Sequence, residues 1–317
     1  MYQSISISGL LTLDLHALNN EGSEGNTMMT RMVDTIDRTG KKHTVNAISG
    51  DMFKHIVVEH LLGEAKSQNL PLCSGCSAFN ANRICADAGF MKTPGWDEKT
   101  PESTILRGVL ERCVIDDCAG ILITGKIGKE RSIARKSCVE VGWVVGTPGT
   151  VTESYFHAKY VPEGRAGGSG EGANLGQNIF HRPASSGQYA IVLSLDLYKV
   201  SRNDITLAHD IPEPDRRKRM SALVRSVLNA VIKPTGAHRN TQSPHIVDFA
   251  GVIATSSSTL PAPTVSALNG SYVDEIERIK AALNGLSTGN GSIGTDRFES
   301  LGQFAEQMAA IERAVAA

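Results

Sequence analysis

Cysteine is scarce in this chain, six in 317 residues, which is far too few for a disulfide scaffold and predicts reduced thiols in a cytoplasmic protein. No apolar run approaches the ~20 residues of a membrane span, so no membrane partner is expected. The opening Met1-Tyr2-Gln3-Ser4-Ile5 carries no basic segment ahead of its apolar part, so no secretory signal is expected. Charge of one sign is also missing: 32 Lys and Arg against 33 Asp and Glu leave a net −1, which excludes a generic polycation. Aromatic residues are only 5%, so bases stacked across a sheet face are not predicted. The remaining balance, 41% hydrophobic and 21% charged, excludes a disordered chain and suits roughly two domains or one elaborated domain.

The residues present carry clear periodicity. Ile5, Ile7, Gly9, Leu11, Leu13 and Leu15 alternate with Ser4, Ser6, Ser8, Thr12, Asp14 and His16, which predicts a half-buried strand. Residues 19–26 are turn formers and read as a loop. Ser49 caps a helix with Phe53, Ile56, Val57, His60, Leu61 and Ala65 on one face. Residues 66–115 show little periodicity and read as an irregular insertion with some helix. Strands are predicted at 120–124, 139–145, 151–161 and 191–198, with a six-glycine loop from Pro162 to Asn178. A helix follows Pro214, with Met220, Leu223, Val224, Val227, Leu228 and Val231 apolar and Arg216, Arg217, Lys218, Arg219 and Arg225 opposite. The segment beyond Tyr272 reads as two acidic helices around a Gly-rich stretch. The order predicts an α+β sheet with helices on one face, of the ferredoxin-like or RRM-like kind, carrying insertions.

Familiar catalytic patterns are missing. Gly120 to Lys126 begins like a phosphate-binding loop but has Ile127 where a hydroxyl is needed, and its middle reads as strand. The glycines at 164–176 contain no dinucleotide fingerprint. No serine has the setting of a nucleophile elbow, and no histidine pair has metal-binding spacing. Asp116 and Asp117, read as strand neighbours, would point to opposite faces. Cys73-x-x-Cys76 is half a zinc site, with Cys85 as a third ligand and Cys113 or Cys118 as a fourth. The second half lacks zinc-like spacing, so thiols packed as small hydrophobes are the preferred reading and no metal or other cofactor is predicted.

Position redistributes the neutral total. Seven Lys or Arg and no acid lie between Arg216 and Val247, and five lie between Lys126 and Lys136 against Glu130 alone. The acids concentrate elsewhere, notably from Asp274 to Glu312. The Gly236–Gln242 loop offers Arg, His, Asn and Gln donors suited to a sugar–phosphate backbone.

Together, Ile7-Ser8-Gly9, Leu18 to Asn26, Arg31 and Val45-Asn46-Ala47-Ile48-Ser49-Gly50-Asp51-Met52-Phe53-Lys54-His55 resemble the DevR family of CRISPR-associated proteins. Phe156-His157-Ala158-Lys159-Tyr160, Gln177 to Arg182, and Pro234-Thr235-Gly236-Ala237-His238-Arg239 leading to Pro244-His245 agree with it. The resemblance implies a hand-shaped backbone subunit of type I Cascade, closest to subtype B. It implies an RRM-like palm (1–65 and 116–270), a helical fingers insertion (66–115), a Gly-rich thumb loop (about 162–187) and a helical C-terminal tail (271–317). The implied partners are CRISPR RNA, target DNA through guide pairing, copies of this chain in a helical filament, and other Cascade subunits: the large subunit, the repeat-handle-binding subunit and the repeat-processing endonuclease. The RNA-binding candidates are Asn26, Arg31, Lys54, His55, Arg131, Arg135, Lys136, His157, Lys159, His181, Arg182, His238, Arg239 and Gln242. Related subunits that cut RNA use an aspartate in an early loop, where this chain has Glu21 and Glu24, so binding without catalysis is expected. The alternatives are an RNA-cleaving enzyme of the same fold and a DNA-binding autoregulator.

Overall fold

A computed structural model describes residues 1–160, 177–236, 238–286 and 292–317. The chain begins with β1 (Ser4–His16), then β2 (Asn20–Glu24) and β3 (Thr27–Thr30), β4 (Met32–Ile36) and β5 (Lys42–Ile48). The 19–26 stretch is therefore mostly a small hairpin rather than a loop, with Asn20 opposite Thr30 and Glu24 opposite Thr27. Helix α1 (Gly50–Ser67) starts where the cap requires, the Ser49 hydroxyl accepting from the Met52 N–H. Its Phe53, Ile56, Val57, Leu61 and Ala65 are buried.

The insertion follows as α2 (Ser74–Ser77), a 3-10 turn (Arg83–Ala86), α3 (Ala88–Met91) and α4 (Glu102–Arg112). Helix α5 (Val114–Ala119) closes it and carries Asp116 and Asp117 on a helix, not on the expected strand. The hairpin β6 (Ile121–Ile127) and β7 (Lys129–Arg135) forms its own two-stranded sheet. The basic stretch 126–136 is thus the end of β6, a turn and β7.

Strands β8 (Val139–Val141), β9 (Val144–Gly146), β10 (Val151–Tyr160) and β11 (Gln177–Asp196) come next, then α6 (Glu213–Ile232) and β12 (His245–Ser256). Of the expected thumb loop, 161–176 lies outside the described residues, while 177–187 is the first half of β11. The C-terminal segment holds α7 (Tyr272–Asn284), β13 (Ile293–Phe298) and α8 (Leu301–Ala316). It is not purely helical, because β13 pairs with β12 from Gly251↔Phe298 to Ser256↔Ile293 and extends the sheet.

The main sheet runs β13-β12-β1-β11-β9-β5-β4, with β1 antiparallel to both β11 and β12. Helices α1, α6 and α8 cover one face through Phe53, Ile56, Leu61, Leu223, Val227, Phe304 and Met308. The other face of β1 is covered as well. The Ser6 hydroxyl donates to the Pro263 carbonyl, Ser8 Oγ accepts from the Val265 N–H, and Ala190, Val252, Ala267, Tyr272 and Ile276 form a second apolar cluster there. Strand β1 is therefore buried on both faces, not half-buried, its serines satisfied by the 262–265 backbone. Beyond Leu13 the register shifts at a bulge: Leu15 (φ 54°) turns outward and His16 is buried instead.

Two of the five basic residues of α6, Arg216 and Arg219, are internal. Arg216 donates to the Val200 and Leu197 carbonyls, and Arg219 to the Leu110 carbonyl and the Asp117 carboxylate. Arg217 and Lys218 pair with Glu213 and Asp215 one turn earlier, and Arg225 pairs with Glu312 of α8. Part of the polarity along the sequence thus cancels inside the fold. Among the described residues, no helix is long and apolar enough to cross a membrane.

Candidate nucleic-acid interface

Two neighbouring surfaces gather the candidate residues. The first is the lower part of the β10–β11 hairpin and the loop before β12. Register places Phe156 opposite His181 and His157 opposite Phe180. The His157 and Phe180 rings stack with centroids 5.5 Å apart, and the Arg182 guanidinium lies 4.7 Å from the centre of the Phe180 ring. Arg182 also reaches His238 Nε2 (3.0 Å) and donates to Thr241 Oγ1 (3.4 Å), while the Gln242 amide donates to the Pro183 carbonyl (2.9 Å). Burial, with the nearby Arg182 charge and His157, lowers the His238 pKa. Arg182 Nε and Gln242 Oε1 are buried with no hydrogen-bond partner among the described residues. Beside them, a cavity of about 380 Å³ is lined by Tyr155, Phe156, His157, Thr241, Gln242 and His245.

The β2–β3 tip closes on the same place. The Asn26 carbonyl accepts from the His181 N–H at 2.8 Å, and Thr27 pairs with His181. Arg31 is half-buried, paired with Glu21, and lies 5.2 Å from the centre of the Trp143 ring. Lys159 is in β10 opposite Asn178.

The second surface is a cavity of about 470 Å³ at the start of α1, lined by Lys54, His55, Phe79, Asn80, Arg83 and Gly120 among others. Burial, and after it the Arg83 charge, lowers the Lys54 pKa against the opposing charge of Asp51. Arg83 donates to the Gly120 carbonyl at 2.5 Å, and His55 and Phe79 contact each other with ring centroids 5.1 Å apart. Phe79 and Arg83 both adopt left-handed backbone (φ 53° and 48°), a local strain of the kind that collects at functional sites. Arg239 lies 3.7 Å from Glu59 of α1, and the His60 ring lies 2.9 Å from the Lys233 carbonyl, so α1 joins the two surfaces.

Three of the fourteen candidates fall elsewhere. Arg131 is buried and donates to the Ile127, Asp97 and Glu98 carbonyls. Arg135 is fully buried and pairs with Asp117 and Asp204. Both guanidiniums are consumed by the interior and cannot face a phosphate. Lys136 is exposed beside Asp204, whose carboxylate accepts its backbone N–H. The sequence reading missed Arg83, Asn80 and Phe79, which lie in an aperiodic stretch that singles out no residue. It also missed the exposed pair Tyr155 and Phe156, whose adjacency in a low-aromatic chain was the available signal. The cysteines divide too: Cys73, Cys76 and Cys113 converge with Asp116, whereas Cys85 stands apart, its thiol directed at the Leu122 carbonyl.

A family model described as CRISPR-associated negative auto-regulator DevR/Csa2 matches residues 7–277. No curated protein matches the chain. Among solved structures, a chain described as "CRISPR RNA-guided surveillance complex, pre-nicking" is similar at 13% identity and a TM-score of 0.49, over 98% of this chain and 100% of that chain. Another, described as "CRISPR RNA-guided surveillance complex", is similar at 13% identity and a TM-score of 0.48, over 98% and 99%. The family match runs from β1 through both surfaces and past the 238–242 loop, and on it the chain belongs to the CRISPR-associated DevR/Csa2 family.

Proposed function

We propose that this chain is a CRISPR RNA-binding backbone subunit of a type I surveillance complex, subtype B-like, that stacks on copies of itself along the guide and presents it to target DNA. The observation that carries the reading is the Arg182 cluster. A guanidinium held by Phe180, His238 and Thr241 has an Nε–H without a hydrogen-bond partner among the described residues, beside the exposed aromatic rings of Tyr155 and Phe156. A cation beside a stacking surface and an amide suits single-stranded nucleic acid better than a small metabolite.

The strand order supports an RRM-like palm. Strands β12, β1, β11 and β8/β9 lie side by side, and α1 and α6 follow β1 and β11 in sequence, the βαββαβ arrangement of ferredoxin-like domains. The sheet face used for bases in many such domains is here occupied by residues 262–276, which favours RNA along the hairpin and the α1 edge. On this reading 66–115 forms the fingers and 162–187 the thumb that folds over a neighbour's guide. Other Cascade subunits cap the filament.

Binding without cleavage is part of the proposal. Of the early-loop carboxylates, Glu21 is paired with Arg31 and so is directed to a cation of its own chain. Co-expression with a repeat-spacer RNA and the other Cascade subunits tests the whole reading: a particle containing protected guide RNA is expected, and one without RNA would refute it. RNA cutting in Mg²⁺, Mn²⁺ or Zn²⁺ that depends on Glu21 or Glu24 would refute the non-enzymatic part. The family's description favours one competing reading, binding to DNA at its own promoter. Footprinting without RNA tests it, and no footprint is expected.

A further inference from the structure

Two pairs of side chains far apart in sequence meet where the ends of the insertion come together. Cys73 and Cys76 flank the first turn of α2, Cys113 separates α4 from α5, and Asp116 is in α5. One ligand atom from each lies within 4.8 Å of all the others, and all four residues are buried. The Cys73 and Cys76 Sγ atoms are each 3.4 Å from Asp116 Oδ2. From these placements we infer a tetrahedral zinc site with Cys73, Cys76, Cys113 and Asp116 as its ligands.

The geometry matches one ion. Zn–S bonds of about 2.3 Å and Zn–O bonds of about 2.0–2.2 Å, set tetrahedrally, put ligand atoms roughly 3.5–3.8 Å apart. The two sulfur–oxygen separations of 3.4 Å fall within about 0.1 Å of that range, and the 4.8 Å limit needs only small side-chain rotations. An iron–sulfur cluster, several ångströms across, would hold its cysteines farther apart. Three sulfurs exclude a hard, oxygen-seeking ion such as Mg²⁺ or Ca²⁺, and the carboxylate favours Zn²⁺ over a soft ion such as Cu⁺.

The surroundings are built for it. The backbone N–H of Cys76 donates to Cys73 Sγ at 3.2 Å, the turn that brings the two sulfurs of a C-x-x-C pair to one side and stabilises a thiolate. That turn requires Gly75, where a Cβ would overlap the Arg83 carbonyl. Val114 N–H donates to the Pro71 carbonyl at 2.9 Å, which fixes the α4–α5 junction at Cys113 beside Cys73 independently of any ion. Asp116 Oδ1 is buried with no hydrogen-bond partner among the described residues. A buried carboxylate in that position requires a proton or a cation.

Binding joins Zn²⁺ to three sulfurs and one oxygen, and the three thiol protons and the carboxyl proton of Asp116 pass to solvent. The ion would clip together the two ends of the insertion, which lie 43 residues apart from Cys73 to Asp116. Cys76 also lines the α1 cavity with Phe79 and Arg83, so the clip would hold the wall of that cavity. The inference rests on the four side chains and stands whether or not RNA occupies the cavity.

The test is metal analysis of the full chain, purified reduced and without added metal. About one zinc per chain is expected, released when the thiols are titrated with a mercurial. Co²⁺ exchanged into the same protein should show the visible bands and sulfur-to-metal charge transfer of a tetrahedral thiolate site. Cys113→Ser and Asp116→Asn should lower the zinc content, while Cys85→Ser leaves it unchanged. If a variant fails to fold, the Co²⁺ spectrum of the parent still decides. Less than about half an equivalent of zinc, before and after incubation with Zn²⁺ and removal of excess, would overturn the site. So would an octahedral Co²⁺ spectrum, or a Cys73–Cys76 disulfide in protein purified under reducing conditions.

Discussion

Replacing Asp117 by asparagine removes one negative charge and almost no volume. Asp117 is fully buried and serves four donors. Its Oδ1 accepts from Arg135 (2.8 Å) and the Ser201 N–H (3.0 Å), and its Oδ2 accepts from Arg219 (2.8 Å) and the Ser201 hydroxyl (3.0 Å). In Asp117→Asn one oxygen becomes an NH₂ that faces donors, and two guanidiniums lose their shared anion. Arg135 keeps Asp204 at 3.0 Å, but Arg219 keeps only the Leu110 carbonyl. Breaking a buried ion pair by removing one partner costs about 3–5 kcal/mol. Against a total stability of about 5–15 kcal/mol that is a large fraction. At about 2–4 °C per kcal/mol the melting temperature should fall by roughly 6–20 °C. Differential scanning calorimetry of parent and variant measures it. A shift under about 2 °C would mean that this network is not the interior crosslink described above. Arg135→Gln should likewise lower the melting temperature, as expected of a structural guanidinium.

The other expectations concern binding, pH and packing. Arg182→Ala should weaken single-stranded RNA binding roughly 10- to 100-fold, about equally across guide sequences, with the melting temperature kept. Its salt dependence should flatten by about 0.7 in slope, and an unchanged slope would remove Arg182 from the phosphate contacts. Burial lowers the His16 pKa to about 4, so the folded state favours the neutral ring. A histidine depressed by folding contributes stability that is present above about pH 6.5 and is lost as pH falls toward 4, about 3 kcal/mol in all. Urea unfolding at about pH 7.5 and about pH 4 should show a smaller acid loss in His16→Gln than in the parent; equal losses would exclude His16 as a cause. Gly9 and Gly251 face each other across β1 and β12, and a Cβ on Gly251 would meet the Ser8 carbonyl and the Phe298 ring. Gly251→Ala should therefore cost about 1–3 kcal/mol by overpacking, seen as a lower midpoint in urea at constant slope.

Period-two and period-3.6 patterns were enough to find β1, β10, α1, the C-terminal part of β11 and α6, because those patterns depend on neighbours within one or two turns. Ser49 was legible as a cap for the same reason. The outer covering of β1 was not legible: Ser6 and Ser8 look solvent-facing until the 262–265 segment, more than 250 residues later, supplies their partners. The β13 strand was hidden by its short, glycine-containing sequence, and only the free edge of β12 makes it a strand.

The candidate interface divides along the same line. The family resemblance pointed to His157 and Arg182, and the donor-rich Gly236–Gln242 loop pointed to His238, Arg239 and Gln242, residues that one hairpin and one loop carry. Charge counting could not tell an arginine for solvent from one for the interior. Arg219 meets Asp117 across 102 residues, and Arg135 meets Asp204 across 69. The cysteines follow the same rule, since Cys73-x-x-Cys76 is visible as a half-site, but Cys113 and Asp116 join it only after α4 and α5 fold back on α2. Sequence by itself determined the local elements and the chemical repertoire of this protein. Tertiary structure decided which cations remain free for a ligand and which thiols can share an ion, because Coulomb and coordination bonds act over a few ångströms of space, whatever the separation along the chain.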